Sequence, residues 1–303
     1  MNATETPQAP SASGTPLLRV RGAVKSFGPV RALDGVDLDV HAGEVVALVG
    51  DNGAGKSTLV KAIAGVSPAD SGVIEWEGSP VHITSPTDAQ KVGIATVFQD
   101  LALCDNLDLV ANLFLGREAK NGRSITLPER RIPLPRGRAI NFARKTLRFG
   151  PLDEITMEKR SKELLEELSV TTIQDVRSPV GLLSGGQRQS VAIARSLLGE
   201  PRVVILDEPT AALGVAQTAE VLSLVERLRD RNFGVILISH NLPDIFAVTD
   251  RIAVLRLGKN AGEYVTAETD QQEIVSAITG ADVNAVTKRL QERAKRAEEG
   301  GES

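Results

Sequence analysis

The fold is decided by the stretch GDNGAGKS at residues 50–57, which directly follows the apolar run VVALV at residues 45–49. An apolar run without a polar member is typical of a β-strand that helices cover on both faces. After the stretch, apolar residues recur at helical spacing from Leu59 to Ile63, and the pattern ends at Gly65. The sequence therefore predicts a strand, a glycine-rich loop and a helix in succession, which is the setting of a phosphate-binding loop.

The residue types in this loop suit a nucleoside triphosphate and Mg²⁺. Gly53 and Gly55 allow the backbone to curl, so that successive N–H groups converge on phosphate oxygens while the helix dipole adds positive potential. We expect Lys56 to bridge the β- and γ-phosphates and Ser57 to ligate the metal, which a purely structural glycine turn does not require. The residues expected to bind ATP here are Gly50, Asn52, Gly53, Ala54, Gly55, Lys56, Ser57 and Thr58.

Two further apolar runs, VVIL at residues 203–206 and VILI at residues 235–238, predict more buried strands of a central, mainly parallel sheet. The first run delivers Asp207 and Glu208 to the carboxyl edge of that sheet, where ligands bind in open α/β folds. An apolar run ending in Asp-Glu is common at strand ends, but the phosphate loop upstream favours a catalytic interpretation. We expect Asp207 to hold Mg²⁺ through its water shell, and Glu208 to accept a proton from the attacking water or to orient it.

The remaining pattern places the chain in the α/β class. Apolar residues alternate with polar ones at residues 18–24, 36–40 and 74–76, as they do in half-buried antiparallel strands. We therefore predict a central, mainly parallel sheet with an antiparallel β subdomain added to it.

The ordered domain is predicted at residues 17–266, between flanking segments of different character. Residues 1–16 are rich in Pro, Ala, Ser and Thr and are expected to be a disordered leader, and residues 267–303 are expected to be a charged, helical tail. Within the domain, residues 100–183 are expected to form a helical subdomain. Its irregular part, residues 118–155, carries many arginines and is either a solvated insertion or a basic docking surface.

Composition narrows the classes of partner. Lys and Arg number 35 against 39 Asp and Glu, a formal charge of -4, so bulk electrostatics gives no reason to expect a nucleic-acid partner. Cys104 is the single cysteine and no signal peptide is recognised, so we expect a cytoplasmic setting. The apolar runs are far shorter than the roughly 20 residues that span a membrane, so a membrane role requires a partner chain.

A second anion-binding helix start is predicted at LSGGQ, residues 183–187. Ser184 can cap the helix that follows, while Gly185 and Gly186 leave its first N–H groups accessible. Taken alone, the pattern is explained better by an ordinary capped helix start. Because the chain has two such helix starts but one lysine-bearing loop, we expect the second to complete the nucleotide site of a neighbouring chain, in a head-to-tail dimer.

In their order along the chain, the phosphate loop, Gln99, residues 183–187, residues 203–208 and His240 resemble the motifs of an ABC-type ATPase cassette. The resemblance spans roughly residues 17–266. It implies a P-loop NTPase of the ABC cassette fold that binds ATP with Mg²⁺ and hydrolyses it. The sequence departs from the family at Gly214, where an aspartate is common.

The resemblance also implies residue roles. Phe27 looks like the aromatic residue that stacks on adenine, and a core aromatic is the alternative. His240 resembles the switch histidine that contacts the γ-phosphate, and Gln99 resembles the residue that links magnesium to the membrane partner. The residues expected to act in catalysis are Glu208, His240, Gln99 and Lys56. Those expected to hold the metal are Ser57, Gln99 and Asp207. Besides the loop, those expected to bind the nucleotide are Phe27, Ser184, Gly185, Gly186 and Gln187.

The segments at residues 85–89, 112–117 and 210–215 look similar to those of the ATP-binding subunits of bacterial monosaccharide importers of the ribose, xylose and fructose type. This resemblance implies three partners. They are transmembrane permease subunits, a second ATP-binding cassette that forms a homodimer with this one, and, indirectly, a periplasmic or extracellular sugar-binding protein. The resemblance places the chain peripherally on the cytoplasmic face of the membrane.

The alternative function is a soluble ABC ATPase that acts as a nucleotide-controlled clamp on DNA or ribosomes. The repair members need a long heptad insertion and the ribosomal members usually hold two cassettes, and the sequence shows neither feature. A nucleotide sensor without turnover is disfavoured because Glu208 is present.

Overall fold

The computed structural model describes residues 14–122 and 150–280 in full, together with the backbone of four short strands that lie between these ranges. Nearly all of the expected leader at residues 1–16, and residues 281–303 of the expected tail, lie outside the described residues. Within the described part, Leu103–Leu183 form one compact unit, and the residues before and after this range form another, here called the first unit. No helix in this part is both long and apolar enough to cross a membrane.

A mainly parallel sheet forms the centre of the first unit. Its strands are β3 (Glu44–Val49), β6 (Ile94–Val97), β11 (Val203–Asp207), β12 (Gly234–Ile238), β13 (Arg251–Arg256) and β14 (Lys259–Val265). They are ordered β14-β13-β3-β12-β11-β6, and β14 runs antiparallel to β13. The three apolar runs of the sequence are β3, β12 and β11, which are adjacent, parallel and almost entirely buried, so the predicted sheet is confirmed.

An antiparallel sheet covers part of the same core. Its strands are β1 (Leu18–Phe27), β2 (Val30–Val40), β4 (Ser71–Trp76) and β5 (Ser79–Val81), in the order β2-β1-β4-β5. The predicted antiparallel strands are thus confirmed. Leu18 and Leu38 of this sheet cluster with Val46 and Leu48 of the central sheet, so one apolar core holds the two sheets together.

The helices of the first unit follow the predicted pattern around the phosphate loop and Ser184. They are α1 (Lys56–Ile63), α2 (Pro86–Val92), α5 (Gly185–Leu197), α6 (Val215–Asp230), α7 (Leu242–Val248) and α8 (Gln271–Thr279). α1 and α5 confirm the helices predicted after the phosphate loop and after Ser184. Gly65, just past α1, has a φ of 70°, the left-handed conformation that favours glycine after a helix.

The second unit contains strands as well as helices. Its described elements are α3 (Leu109–Phe114), β7 (Ser124–Leu127), β8 (Arg130–Pro133), β9 (Ala139–Phe142), β10 (Lys145–Arg148) and α4 (Glu154–Glu167). β10 pairs with β7 and β9 with β8, both antiparallel, where the sequence predicted an irregular insertion at residues 118–155. Four-residue runs such as Ser-Ile-Thr-Leu, set among arginines and prolines, are too short for their period of two to be told from a loop.

A buried ion cluster joins the two sheets of the first unit at the edge where the parallel strands begin. Arg251, the first residue of β13, is 9% exposed. Its Nε lies 2.8 Å from Oε1 of Glu44, and its Nη1 lies 2.8 Å from Oε1 of Glu263. Its Nη2 donates to the backbone oxygen of Asp39 in β2 at 2.6 Å. Sequence reasoning missed this cluster because Arg251 and Glu44 are 207 residues apart.

Candidate active site

The carboxyl edge of the central sheet brings the predicted catalytic segments together. Across β11, β12 and β3, Asp207 lies opposite Ile238, which lies opposite Leu48. β6 joins the other side of β11 in parallel, with Val97 opposite Leu206. Because these parallel strands end at one edge, the residues that follow them emerge there together. Those residues include the phosphate loop, Glu208, His240 and Gln99.

The phosphate loop has a backbone conformation that requires glycine. Gly50, Gly53 and Gly55 have φ angles of 152°, 80° and 109°. A Cβ atom on Gly50 would lie 2.3 Å from the backbone oxygen of Leu255, and one on Gly55 would lie 2.7 Å from that of Ala32. The loop therefore rests on neighbouring backbone so closely that no other residue fits at these two positions.

The start of α1 keeps its backbone donors available for a ligand. Gly55 is the N-cap residue, and no side chain accepts a hydrogen bond from the first turn. The first N–H groups of a helix have no partner within the helix, and they carry the positive end of its dipole. Ser57 is exposed at this helix start, beside Lys56 and Thr58. This arrangement fits a bound phosphate group.

The Lys56 ammonium is held over the loop. Its Nζ donates to the backbone oxygens of Gly50 at 2.7 Å and of Asp51 at 3.1 Å. Burial lowers the pKa of Lys56, and the negative charges of Glu208, Asp51 and Asp207 oppose that shift. The lysine is thus within electrostatic reach of Asp207 at the end of β11 and of Glu208 directly after it, although about 150 residues separate it from them in the sequence.

Asp207 is in a site that favours a bound cation. Burial raises the pKa of Asp207, and the adjacent negative charge of Glu208 raises it further. Among the described residues, no group of three or more His, Cys, Asp and Glu side chains is arranged to hold a metal. Since Mg²⁺ is usually bound by one or two carboxylates together with substrate phosphates, Asp207 and Ser57 suit a metal that arrives with a nucleotide.

Glu208 is the residue with backbone strain at the site. It has a φ of 52°, and its N–H donates to the backbone oxygen of Ile238 at 2.9 Å. Its Oε2 lies 2.8 Å from Nδ1 of His240, whose side chain is 77% exposed whereas that of Glu208 is 16% exposed. Strained non-glycine residues persist where the surrounding structure fixes them, and they cluster at active sites. A positive φ also occurs at seven other described non-glycine residues, so the strain supports a role for Glu208 only together with its contact to His240. The sequence carried no sign of this strain.

Ser184 and Gln187 form a reciprocal cap at the start of α5. The Ser184 hydroxyl oxygen accepts from the Gln187 N–H at 3.3 Å, and the Gln187 side-chain oxygen accepts from the Ser184 N–H at 2.9 Å. The predicted capping role of Ser184 is confirmed, and Gln187 has a structural partner that sequence reasoning did not anticipate. The Ser184 side chain is exposed, so it remains accessible from outside the chain.

The two glycines of this helix start are packed against the segment that follows Glu208. A Cβ atom on Gly185 would lie 2.8 Å from Cδ2 of Leu213, and one on Gly186 would lie 3.0 Å from Cβ of Gln217. Leu213 and Gln217 are therefore supports of the α5 start that sequence reasoning missed, because their contact arises only when α5 and α6 pack together.

Phe27 and Gln99 are both accessible. Phe27 is the last residue of β1 and is 53% exposed, so it is not a core residue. Gln99 is exposed two residues beyond β6. Ligand contacts of these residues stay predictions.

A family profile described as ABC transporter matches residues 33–211. The chain is 42% identical to the fructose import ATP-binding protein of Rhizobium meliloti, over 88% of this chain and 95% of that protein. It is 41% identical to the xylose/arabinose import ATP-binding protein of Sulfolobus acidocaldarius, over 87% of this chain and 94% of that protein.

The fold is also similar to a solved structure. The crystal structure of an ATP-binding cassette of an ABC transporter in its ADP conformation aligns with a TM-score of 0.67 and 25% sequence identity, covering 90% of this chain and 98% of that one. The predicted fold class, a P-loop ABC cassette with parallel, antiparallel and helical parts, is confirmed.

Proposed function

The chain belongs to the ABC transporter family, and from this membership we propose that it is the ATP-hydrolysing subunit of a sugar importer. It is an ATPase, as its family is. The observation that carries the sugar-import proposal is the 42% identity to a fructose import subunit over nearly the full length of both chains. The phosphate loop, whose Lys56 is within electrostatic reach of Asp207 and Glu208, supplies the chemistry that such a subunit requires.

In this proposal the residues of the loop hold the triphosphate and those of the sheet edge act on the attacking water. The N–H groups around Gly53 and Gly55 and the Lys56 ammonium bind the phosphates. Glu208 accepts the proton of the water or orients it, and His240 hydrogen-bonds the γ-phosphate from its position beside Glu208. Phe27 stacks on adenine.

We place Mg²⁺ in the same site. Ser57, Asp207 and Gln99 would hold it together with the phosphates, and the metal would neutralise charge that develops on the phosphoryl group. The Asp207 carboxylate and the Ser57 hydroxyl are oxygen ligands of the kind that Mg²⁺ prefers, which supports this assignment.

Partners are part of the proposal. Two cassettes form a head-to-tail homodimer in which Ser184, Gly185, Gly186 and Gln187 of one chain cover the nucleotide of the other. The subunit works on the cytoplasmic face of the membrane with transmembrane permease subunits, and a sugar-binding protein outside delivers the solute. ATP-driven closure of the dimer and its release on hydrolysis then drive the permease.

The transport proposal is tested by purifying the affinity-tagged chain from detergent-solubilised membranes of its own cells. We expect an integral membrane permease to co-purify, and the ATPase rate of the complex to rise when a monosaccharide-loaded binding protein is added. Recovery of the chain with ribosomes or DNA, without a membrane protein, contradicts the proposal and supports the clamp function.

Replacing Lys56 tests the phosphate assignment. We expect Lys56→Ala to weaken ATP binding about 10- to 100-fold, because hydrogen bonds to charged groups contribute about 1.5–3 kcal/mol. Calorimetric titration with ATP and Mg²⁺ measures this change. Lys91→Ala, on the exposed face of α2, is the matched control and should bind ATP as the unmodified chain does. Equal affinities for all three chains contradict the role given to Lys56.

Replacing Ser184 tests the shared nucleotide site. We expect Ser184→Ala to bind ATP as a monomer with unchanged affinity but to lose ATP-dependent dimerisation, measured by size-exclusion chromatography with light scattering. Ser85→Ala is the matched control, because Ser85 is the N-cap residue of α2 and its side chain likewise accepts from an N–H in the first turn. Each substitution removes a helix cap that contributes about 0.5–2 kcal/mol to stability. If both variants fail to dimerise, the loss is explained by lower stability and not by a role of Ser184 in the shared site.

A further inference from the structure

The end of β1 carries a lysine directly beside the exposed aromatic residue. Lys25 and Phe27 are two residues apart on a strand, so their side chains point to the same face. Nζ of Lys25 lies 5.8 Å from the centre of the Phe27 ring. This distance is within the range of a cation–π contact, in which the ammonium restricts where the ring can lie.

The Lys25 ammonium is itself held by two hydrogen-bond acceptors. Its Nζ donates to the backbone oxygen of Pro68 at 2.7 Å and to Oδ1 of Asp70 at 2.9 Å. The Lys25 side chain is 15% exposed although it carries a charge, whereas that of Asp70 is 47% exposed. Both acceptors lie in the segment between α1 and β4. This segment therefore fixes the position of the Lys25 ammonium next to the end of β1.

Asp70 also holds the backbone next to Phe27. Its Oδ2 accepts from the N–H of Ser26 at 2.7 Å, and its own N–H donates to the backbone oxygen of Val24 at 2.8 Å. The hydrogen bond from Lys25 and the one from the Ser26 N–H lower the pKa of Asp70, so the carboxylate stays ionised.

These contacts replace sheet pairing where it ends. The last pair between β1 and β4 is Val24 opposite Ser71, and the β1–β2 register shifts between Lys25 and Ser26. Beyond this point β1 is paired with β2 on one side, up to Phe27 opposite Val30, but has no β4 residue on the other side. The Asp70 carboxylate supplies the acceptor that the missing strand would have provided.

We propose that Lys25 and Asp70 are positioning residues of the adenine subsite, which act on ATP by fixing the ring of Phe27. This inference rests on the proposed stacking of Phe27 on adenine. A ring held in one orientation before binding loses less conformational freedom when the base stacks on it, so the affinity for the base increases. The phosphates are bound by a different part of the chain, the loop at residues 50–57. The affinity for a phosphate ligand without a base is therefore independent of Lys25 and Asp70.

The test compares a ligand with a base and a ligand without one. Calorimetry measures the affinities of ATP and of inorganic tripolyphosphate, each with Mg²⁺, for the full chain and for Asp70→Ala, Lys25→Met and Phe27→Ala. Glu75→Ala is the matched control, since it removes a carboxylate that pairs with Arg19 at the other end of the same two strands. We expect Asp70→Ala and Lys25→Met to weaken ATP binding about three- to tenfold and to leave tripolyphosphate binding unchanged.

A double substitution shows whether Asp70 acts through the ring. We expect Asp70→Ala to lower the ATP affinity less than about twofold when Phe27 is already alanine, because the effects of two substitutions do not add when one residue acts through the other. Two results overturn the inference. One is a tripolyphosphate affinity that falls as much as the ATP affinity, and the other is an Asp70→Ala substitution that weakens ATP binding as strongly in the Phe27→Ala variant as in the unmodified chain. If Phe27→Ala alone weakens ATP binding and the other two variants do not, this inference is wrong while the stacking role survives. An unchanged ATP affinity in Phe27→Ala overturns the stacking role itself.

Discussion

Glu208→Gln is expected to bind ATP while losing turnover by a factor of about 10² to 10⁴, which is the usual contribution of a positioned general base. The amide preserves the size of the side chain but cannot accept a proton from water. The phosphate-binding groups of the loop are not altered, so nucleotide affinity is retained. Without hydrolysis the closed state is not released, and an ATP-bound dimer should accumulate.

Three measurements check the Glu208 prediction. Phosphate release gives the turnover, calorimetry gives the ATP affinity, and light scattering gives the mass of the ATP-bound species. Glu75→Gln, the same chemical change on the remote strand β4, is the control and should hydrolyse ATP normally. Full steady-state ATPase activity in Glu208→Gln removes Glu208 as the base.

Arg251→Met is expected to lower the free energy of unfolding by about 3–5 kcal/mol, because removing one partner of a buried ion pair leaves the other charge buried and unpaired. Burial alone lowers the pKa of Arg251, but the hydrogen bond and the charge of Glu44, with Glu263 and Asp39, hold it above its ordinary value. The guanidinium therefore stays charged. Methionine keeps the length of the stem but leaves Glu44 and Glu263 without their cation.

Arg19→Met is the matched control for the Arg251 prediction. Arg19 also pairs with two carboxylates in the first unit, Asp39 and Glu75, but its side chain is 36% exposed against 11% for Arg251. Exposed ion pairs contribute about 0–1 kcal/mol, so Arg19→Met should shift the urea midpoint far less. Equal shifts in the two variants show that burial does not determine the contribution of Arg251.

Motif order and hydrophobic pattern were sufficient for the main architecture. The three uninterrupted apolar runs predicted β3, β11 and β12, since a strand covered on both faces has no polar position to interrupt it. Glycine spacing and the terminal lysine predicted the loop at residues 50–57, because its conformation is local. Short or interrupted strands were missed: β6 has four residues, and β7 to β10 lie among arginines and prolines.

By itself, the sequence determined the phosphate loop, the helix starts that follow Gly55 and Ser184, and the strands β1 to β4, β11 and β12, because each of these depends on residues close together in the chain. Tertiary structure alone decided which of them meet. The contact of Glu208 with His240, the buried pairing of Arg251 with Glu44, and the hold of Asp70 on Lys25 join residues 32, 207 and 45 positions apart. Such contacts depend on strand register and on how the two sheets pack, and no local pattern encodes either.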